Sequence, residues 1–321
     1  MSIRVPSWFS DETIMVSTAQ TCGLTKGGRI LLKVDPETSR PLQTIDPDTG
    51  AAIDIIDDQL LADMEALKSG SQTDTLNFVS SKDISLNCAV PIYFDRRYID
   101  NYKTELKTNI MFSGFSSFSL KSLLKEGLIE IRNGHGSPSN AQRTGEIPYI
   151  KVSDLRAGLV NINPTNRVTI SVAEHFWRGS TSGLLPFDLI CPERTSKNIG
   201  DFCVLMPGQE QIVTTKEVIV LRPGPEAQFD AFYLLWAMTL NIVRNQWKRI
   251  VFMQTNREDV GKRYLEIEIP IAPTKNRAIE VSDEFRKYFT AMSKARLSLS
   301  EYLASSKAHH FFLSGLSTEE E

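Results

Sequence analysis

The sequence predicts an α+β fold: a small α/β arm, a mixed β-rich middle and a long C-terminal helix of coiled-coil type. Three observations carry this. Short apolar runs at 146–152, 187–190, 202–205, 217–221 and 266–271 are separated by Gly, Pro and Asn turns. Ahead of them, two strand-like runs and one amphipathic stretch lie within residues 1–78. After them, Val281, Phe285, Tyr288, Met292, Ala295, Leu299 and Tyr302 recur at intervals of 4, 3, 4, 3, 4 and 3, the a/d seam of a paired helix. With 321 residues, 41% of them hydrophobic and 23% charged, the chain has material for a sizeable core in two domains, or in one domain with an arm.

Residues 1–78 form the arm. Runs 13–19 and 29–34 alternate or stay apolar like strands, with Lys26-Gly27-Gly28 as the turn between them. Asp46-Pro47-Asp48-Thr49-Gly50 is a second turn, and 53–67 has the spacing of an amphipathic helix. The polar stretch 69–75 marks a boundary. Residues 79–118 are a lead-in with a helix over 97–111 and a break at Ser113-Gly114-Phe115-Ser116-Ser117. The β-rich domain occupies 119–274. Its one helix, 227–247, carries Phe229, Phe232, Leu235, Trp236, Leu240 and Val243 at helical spacing, with arginine and lysine in the last turn to suit the helix dipole. A helix over 275–310 follows, of which around 28 residues carrying the seam make roughly 40 Å of rod at ~1.5 Å per residue, and 311–321 is an acidic tail. The narrow seam favours pairing with another helix. Packing on the chain's own domain is the alternative, and calls for a broader stripe.

Several classes of chemistry are excluded by what the sequence lacks. The histidines are His135, His175, His309 and His310, and no Gly-x-Ser-x-Gly elbow exposes a serine. There is no His-Glu-x-x-His helix, no acidic-x-Lys nuclease core (Glu193 and Lys197 are four apart), and no P-loop. Gly134-His135-Gly136 lacks the third glycine that dinucleotide binding demands. Cys22, Cys88, Cys191 and Cys203 form no Cys-x-x-Cys pair and have no histidines at zinc spacing, so they are expected as small buried apolar groups in a reduced cytoplasm. No apolar run approaches the ~18 residues of a membrane span, and the start, Met1-Ser2-Ile3-Arg4-Val5-Pro6, has no secretory h-region. No metal and no membrane partner are expected.

The run of short segments from 129 to 273 is the most informative part of the chain. It opens on Ile131-Arg132-Asn133-Gly134-His135-Gly136-Ser137-Pro138, then Ile147-Pro148-Tyr149-Ile150-Lys151-Val152-Ser153-Asp154-Leu155 and Leu185-Pro186-Phe187-Asp188-Leu189-Ile190. Thr195-Ser196-Lys197-Asn198-Ile199-Gly200 follows, and Leu265-Glu266-Ile267-Glu268-Ile269-Pro270-Ile271-Ala272-Pro273 closes it. In this order, with a long helix behind, the segments resemble one target recognition domain of a type I restriction-modification specificity subunit. A second resemblance covers the arm: Ile14 to Gly23 by number, then Gly27-Gly28-Arg29, is similar to the closing segment of type I adenine-N6 DNA methyltransferases. Nothing catalytic accompanies it, since no Asn-Pro-Pro-Tyr-like tetrapeptide occurs to clamp an adenine and Asn163-Pro164-Thr165-Asn166 has the wrong second half.

Reading bases in the major groove takes bidentate side chains on loops, Arg for guanine and Asn or Gln for adenine. Three loops offer them: Arg132, Asn133, His135 and Ser137 with Gln142 and Arg143; Arg194, Thr195, Ser196 and Lys197; and Gln254, Asn256 and Arg257. By resemblance these are DNA-facing positions. His135 is a candidate to orient a phosphate or base, glycines 134 and 136 to let main-chain N–H groups approach a phosphate, and Lys151 and Lys197 to contact phosphate. The net charge of −3 (36 basic against 39 acidic residues) permits DNA binding without arguing for it, and fits a partner that supplies most phosphate contacts. Acidic residues gather near the ends, at Asp46, Asp48, Asp54, Asp57, Asp58 and Asp63 and at Glu319, Glu320 and Glu321.

The resemblance implies a non-catalytic specificity subunit with double-stranded DNA, an adenine-N6 methyltransferase and a restriction or translocase subunit as partners. S-adenosylmethionine would belong to the methyltransferase, with no cofactor in this chain. The resembled subunits carry two recognition domains and two spacer helices, whereas this chain has one of each. It is therefore expected as a half-length subunit, with a second copy of itself completing a palindromic split site. The alternative from another class is a protein–protein adaptor of a defence complex that binds no DNA specifically.

Overall fold

The computed structural model describes residues 12–84, 90–138, 144–194, 197–253 and 258–306, with 308, 309, 311 and 313. Both helices and strands are present, in several small sheets, and the fold is α+β. Two compact units divide the chain, Met1–Asp100 and Asn101–Glu321.

The first unit runs β1 (Thr13–Ser17), β2 (Gln43–Ile45), β3 (Ala52–Asp54), α1 (Gln59–Ser69) and β4 (Leu76–Ser80). β1 and β4 pair antiparallel, Thr13 opposite Ser80 and Ser17 opposite Leu76. β2 and β3 form a hairpin whose turn is tied by the Asp46 carboxylate, which accepts from the N–H groups of Asp48 and Thr49. The strand expected at 29–34 is reduced to isolated bridges, Leu24 to Ile30, Leu32 to Ile56 and Val34 to Pro41. Its side chains find no core to face, and Ile30 and Val34 stay exposed. The helix expected from 53 begins at Gln59. Residues 52–54 are held in β3, and the Asp58 carboxylate caps the Leu61 N–H.

Helix α1 ends at Gly70, whose φ of 68° is the left-handed closing conformation. It is also turned against expectation. Asp63 is its buried anchor, accepting from the hydroxyls of Ser17, Thr73 and Thr75. Burial pushes the Asp63 carboxyl up, but those hydroxyls and the Arg97 charge together hold it below the usual carboxylate range. Leu60, Leu61, Met64 and Leu67 are left exposed on the other side.

The division between units falls inside α2 (Arg97–Thr108). The helix expected to 111 stops at Thr108, because the Asn109 side chain accepts from the Met111 N–H and starts a separate 3-10 turn, Ile110–Phe112. Then come β5 (Ser116–Ser119), α3 (Leu120–Lys125), β6 (Ile129–Asn133), β7 (Ile147–Ile150), β8 (Leu155–Arg156), β9 (Leu159–Val160), β10 (Arg167–Val168) and α4 (Ile170–Trp177). They are followed by β11 (Leu189–Pro192), β12 (Cys203–Val204), β13 (Val213–Thr214) and β14 (Val218–Pro223).

Six of these strands make the main sheet, in the order β6-β14-β11-β12-β9-β8, all antiparallel except β12 beside β9. β7 pairs with β10 antiparallel and with β13 parallel in a second sheet. Ile150, Ile190, Leu205, Val218 and Val220 are centres of one core cluster, and Tyr149, Val168, Ala173 and Val213 of another under α4. β11 and most of β14 are buried along their whole length, which is why they read as continuous apolar runs. Cys191 and Cys203 lie in this core, and burial pushes the Cys203 thiol up to about 11 and the Cys191 thiol higher. Cys22 is exposed, against expectation, and Cys88 lies outside the described residues.

The helix expected over 227–247 is three: α5 (Ala231–Thr239), α6 (Asn241–Arg244) and α7 (Trp247–Ile250). The Asp230 carboxylate accepts from the Phe232 and Tyr233 N–H groups and fixes the start, and Leu240 takes extended backbone (ψ 132°) that breaks the rod. β15 (Phe252–Met253) and β16 (Glu258–Asp259) pair antiparallel, and β17 (Glu268–Ile271) pairs antiparallel with β5. The Tyr233 hydroxyl clamps the end of β17, donating to the Pro270 carbonyl and accepting from the Ala272 N–H, each at 2.8 Å.

The chain's long helix, α8 (Lys275–Ser306), ends four residues before the expected 310. Its buried residues are Ala278, Ser282, Phe289 and Leu303. Three of these each follow a seam residue by one position, so the buried stripe lies about 100° round the helix from the expected seam. α8 packs along α5, with Phe289 stacked on Phe232 (centroids 6.4 Å) and Arg286 paired to Asp230. Among the described residues, no helix is long and apolar enough to cross a membrane.

Candidate nucleic-acid interface

The Gly-rich turn leaves β6 where Asn133 faces Ile219 of β14. Its three N–H groups are all engaged within the chain: Gly134 donates to Val218 O (3.0 Å), His135 to Thr214 Oγ1 (3.2 Å) and Gly136 to Thr214 O (3.1 Å). A Cβ on Gly134 would stand 1.8 Å from the Thr215 carbonyl oxygen, and one on Gly136 2.2 Å from the Phe176 ring. The glycines therefore let two segments of this chain close on each other. The expected phosphate cradle of free N–H groups is not formed here.

His135 is likewise turned inward. Its Nδ1 accepts the Thr214 N–H (3.1 Å), so Nε2 carries the proton and donates to Ser182 O (2.8 Å). Burial lowers its pKa and the Arg132 charge adds to this, against the opposing carbonyl of Ser182. The ring is a neutral latch between two loops, with no nitrogen left to orient a base or phosphate.

The three candidate loops have a common root in Glu193, which follows β11 and is buried. The Asn133 side chain, 60 residues away in sequence, donates to Glu193 Oε2 (3.3 Å). The Glu193 N–H donates to Glu217 O (2.9 Å), and the Val260 N–H, just past β16, donates to Glu193 O (3.3 Å). Arg194 follows directly, half-buried, and Lys197 is exposed on the turn beyond it. Ser137 and Lys151 join through Thr215: the Ser137 and Thr215 hydroxyls are 3.0 Å apart, and the Thr215 N–H donates to the carbonyl of Ile150. Lys151 comes next, its Nζ 5.9 Å above the Tyr149 ring.

These bonds thus gather Asn133, Ser137, Lys151 and Arg194 around Glu193 and Thr215, with Lys197 three residues beyond Arg194 in sequence. Arg132 departs from the group, reaching Gly183 O (3.3 Å) and Glu130 (3.4 Å) instead. Gln142, Arg143, Thr195, Ser196, Gln254, Asn256 and Arg257 lie outside the described residues, as do His310 and the acidic residues 319–321. Lys216, exposed between Thr215 and Glu217 of the same network, was not singled out from sequence. The polar insert Thr214-Thr215-Lys216 between two apolar runs is the signal that points to it.

On α8 the expected seam is divided. Tyr288, Leu299 and Tyr302 are 58%, 39% and 53% exposed, Ala295 is exposed, and Val281, Phe285 and Met292 are half-buried. Among the described residues, no group of three His, Cys, Asp or Glu side chains is placed to hold a metal ion.

No protein-family model matches the chain, and no curated protein matches it. Its likenesses are to solved structures. The type I restriction-modification system S subunit from M. genitalium matches at 13% identity and a TM-score of 0.39, over 64% of this chain and 46% of that one. The HsdS subunit from Thermoanaerobacter tengcongensis matches at 17% identity and a TM-score of 0.36, over 62% and 45%. The type IIG restriction endonuclease BpuSI matches at 10% identity and a TM-score of 0.44, over 70% and 33%. The chain spans about half the length of the two S subunits it matches.

Proposed function

We propose that this chain is a non-catalytic DNA sequence-recognition subunit that directs an adenine-N6 DNA methyltransferase to its target in a restriction-modification or phage-defence system. One observation carries the reading: the turn after β6, the turn after β11 and the segment closing β16 are joined by hydrogen bonds at Glu193. These are the three places where the resembled recognition domain presents loops to DNA. Rooted together at Glu193, loops 60 or more residues apart address one stretch of groove, and a rigid root holds base-reading side chains in register. Methyl transfer and S-adenosylmethionine belong to the partner, and a restriction or translocase subunit would complete the assembly. Residues 1–78 would grip the methyltransferase. The exposed Leu60, Leu61, Met64 and Leu67 of α1, with Asp54, Asp57, Asp58 and Glu65 close by in sequence, suit a protein surface with an apolar centre and basic rim.

The test is a fluorescence titration of the chain, with and without a methyltransferase, against a randomised duplex pool. Arg143→Ala, Arg194→Ala and Gln254→Ala are expected to cost about 1–3 kcal/mol each and to relax preference at one base position. Lys151→Ala and Lys197→Ala are expected to weaken all sequences alike. Unchanged affinity and preference in all five variants removes this reading. The adaptor, favoured by the exposed apolar face of α1, then replaces it.

A further inference from the structure

Beside the Gly-rich turn, a half-open cleft of about 380 Å³ is lined by Arg132, Asn133, Phe176, Trp177, Arg178 and Ser182, among others. Its walls are fixed. His135 Nε2 donates to Ser182 O (2.8 Å), the Ser182 hydroxyl to Glu210 O (2.5 Å), and Trp177 Nε1 to Ile212 O (2.9 Å). The two arginines on the cleft are not equivalent. Arg132 is held by Gly183 O and by the carboxylate of Glu130, which offsets its charge. Arg178 is exposed, and its guanidinium has no hydrogen bond or ion pair among the described residues.

Arg178 also closes α4 with φ 59° and ψ 35°, the left-handed conformation in which glycine is the usual residue, although Gly179 comes next. A long cation thus occupies a strained position at the mouth of a rigid polar cleft, the kind of place where strain marks a binding role. We propose that this cleft is a phosphate site with Arg178 as its cation, taking a backbone phosphodiester of the duplex whose bases meet the loops rooted at Glu193. The choice of a duplex phosphate rests on the DNA-recognition reading above. A phosphate group as such rests on the cleft alone, and a free phosphate ester is its other source.

The test follows duplex binding of the full chain across a salt series, for wild type, Arg178→Gln and Arg178→Lys. A second arm titrates inorganic phosphate and a deoxynucleoside monophosphate into the same proteins, followed by NMR shifts of the Trp177 and Gly183 signals. Loss of one phosphate contact should shallow the slope of log K against log salt by about 0.9 in Arg178→Gln, with site preference unchanged, and Arg178→Lys should restore it. Arg178→Gln binding duplex with the wild-type slope overturns the site and leaves the recognition reading standing. Wild type that ignores duplex, yet binds inorganic phosphate through Arg178, overturns the recognition reading and supports the cleft as a site for free phosphate esters. Wild type that binds neither overturns both.

Discussion

The exposed half of α8 gives the sharpest contrast between packing within the chain and packing against a partner. An aromatic side chain offers on the order of 200 Å², so covering the 58% and 53% of Tyr288 and Tyr302 that are exposed removes roughly 100 Å² each from water. At ~25 cal/mol per Å² that is about 2.5 kcal/mol per tyrosine, and Leu299 adds about 1.5. A pair of such helices would gain on the order of 13 kcal/mol, an upper figure, against an association cost of about 4–15. Pairing through this face is therefore near balance and depends on its two tyrosines. The double variant Tyr288→Ala/Tyr302→Ala is expected to abolish assembly, whether with a second copy or with a methyltransferase helix, and to leave the unfolding midpoint where it was. Met292→Asp, mid-seam, is expected to do the same through an unpaired charge in an apolar contact. Phe289→Ala is the control on the opposite logic: Phe289 is buried on Phe232, and its loss should cost about 3–5 kcal/mol of stability. Light scattering and denaturant unfolding of the three variants decide the matter. An unchanged mass in the double variant, or a fall in its unfolding midpoint as large as that of Phe289→Ala, refutes the seam as an interface.

Two further outcomes follow from the turn after β6. Gly134→Ala should destabilise the second unit by several kcal/mol, on the order of 2–5, because its Cβ meets main-chain oxygen of Thr215 and not a movable side chain; chemical denaturation measures it, and wild-type stability would show that the turn can open. His135 has its folded pKa lowered from 6.5 by burial, so its contribution is complete above pH 6.5, where both states are neutral. As pH falls below that value the unfolded chain takes up the proton first, and stability should drop by up to ~1.4 kcal/mol per pH unit until the folded value is reached. His135→Asn should lack this component in unfolding curves between about pH 7.5 and 5, and an identical pH dependence in wild type and variant would count against the neutral latch.

What was legible in the sequence was whatever local periodicity determines. The five β runs are strands because β7, β11, β12, β14 and β17 each bury half or more of what they carry and leave nothing fully exposed, and α8 is a helix because its apolar spacing admits nothing else. Three things were not legible, each for a physical reason. Apolar spacing across 227–247 is blind to the Asp230 cap and to the extended backbone of Leu240, so it joins three helices into one. Heptad counting on α8 selects the stripe with the larger side chains, Tyr288 and Tyr302, while the buried stripe beside it includes Ser282, whose hydroxyl is satisfied at the Ala278 carbonyl (2.8 Å). A Gly-x-Gly turn looks the same whether the missing side chain makes room for a phosphate or for Thr215.

The same limit governs the candidate site. Its loops are visible as polar inserts, but their meeting at Glu193 is made by a side-chain amide and a main-chain N–H across long separations, and no local pattern announces a hub that is a single buried glutamate. In the proposed reading Glu193 would position the loops and not read bases itself, its carboxylate taking Asn133 and its main-chain oxygen taking Val260. A carboxylate at the centre also has a cost: it repels the phosphates that Lys151, Lys197 and Lys216 would attract. That cost is tolerable because its Oε2 is engaged by Asn133 and its side chain is buried, away from solvent and ligand. The acidic balance of the chain would therefore be compatible with the proposed DNA-facing surface, since the Glu193 carboxylate is buried as an internal strut while Lys197 and Lys216 stay exposed and Lys151 half-exposed.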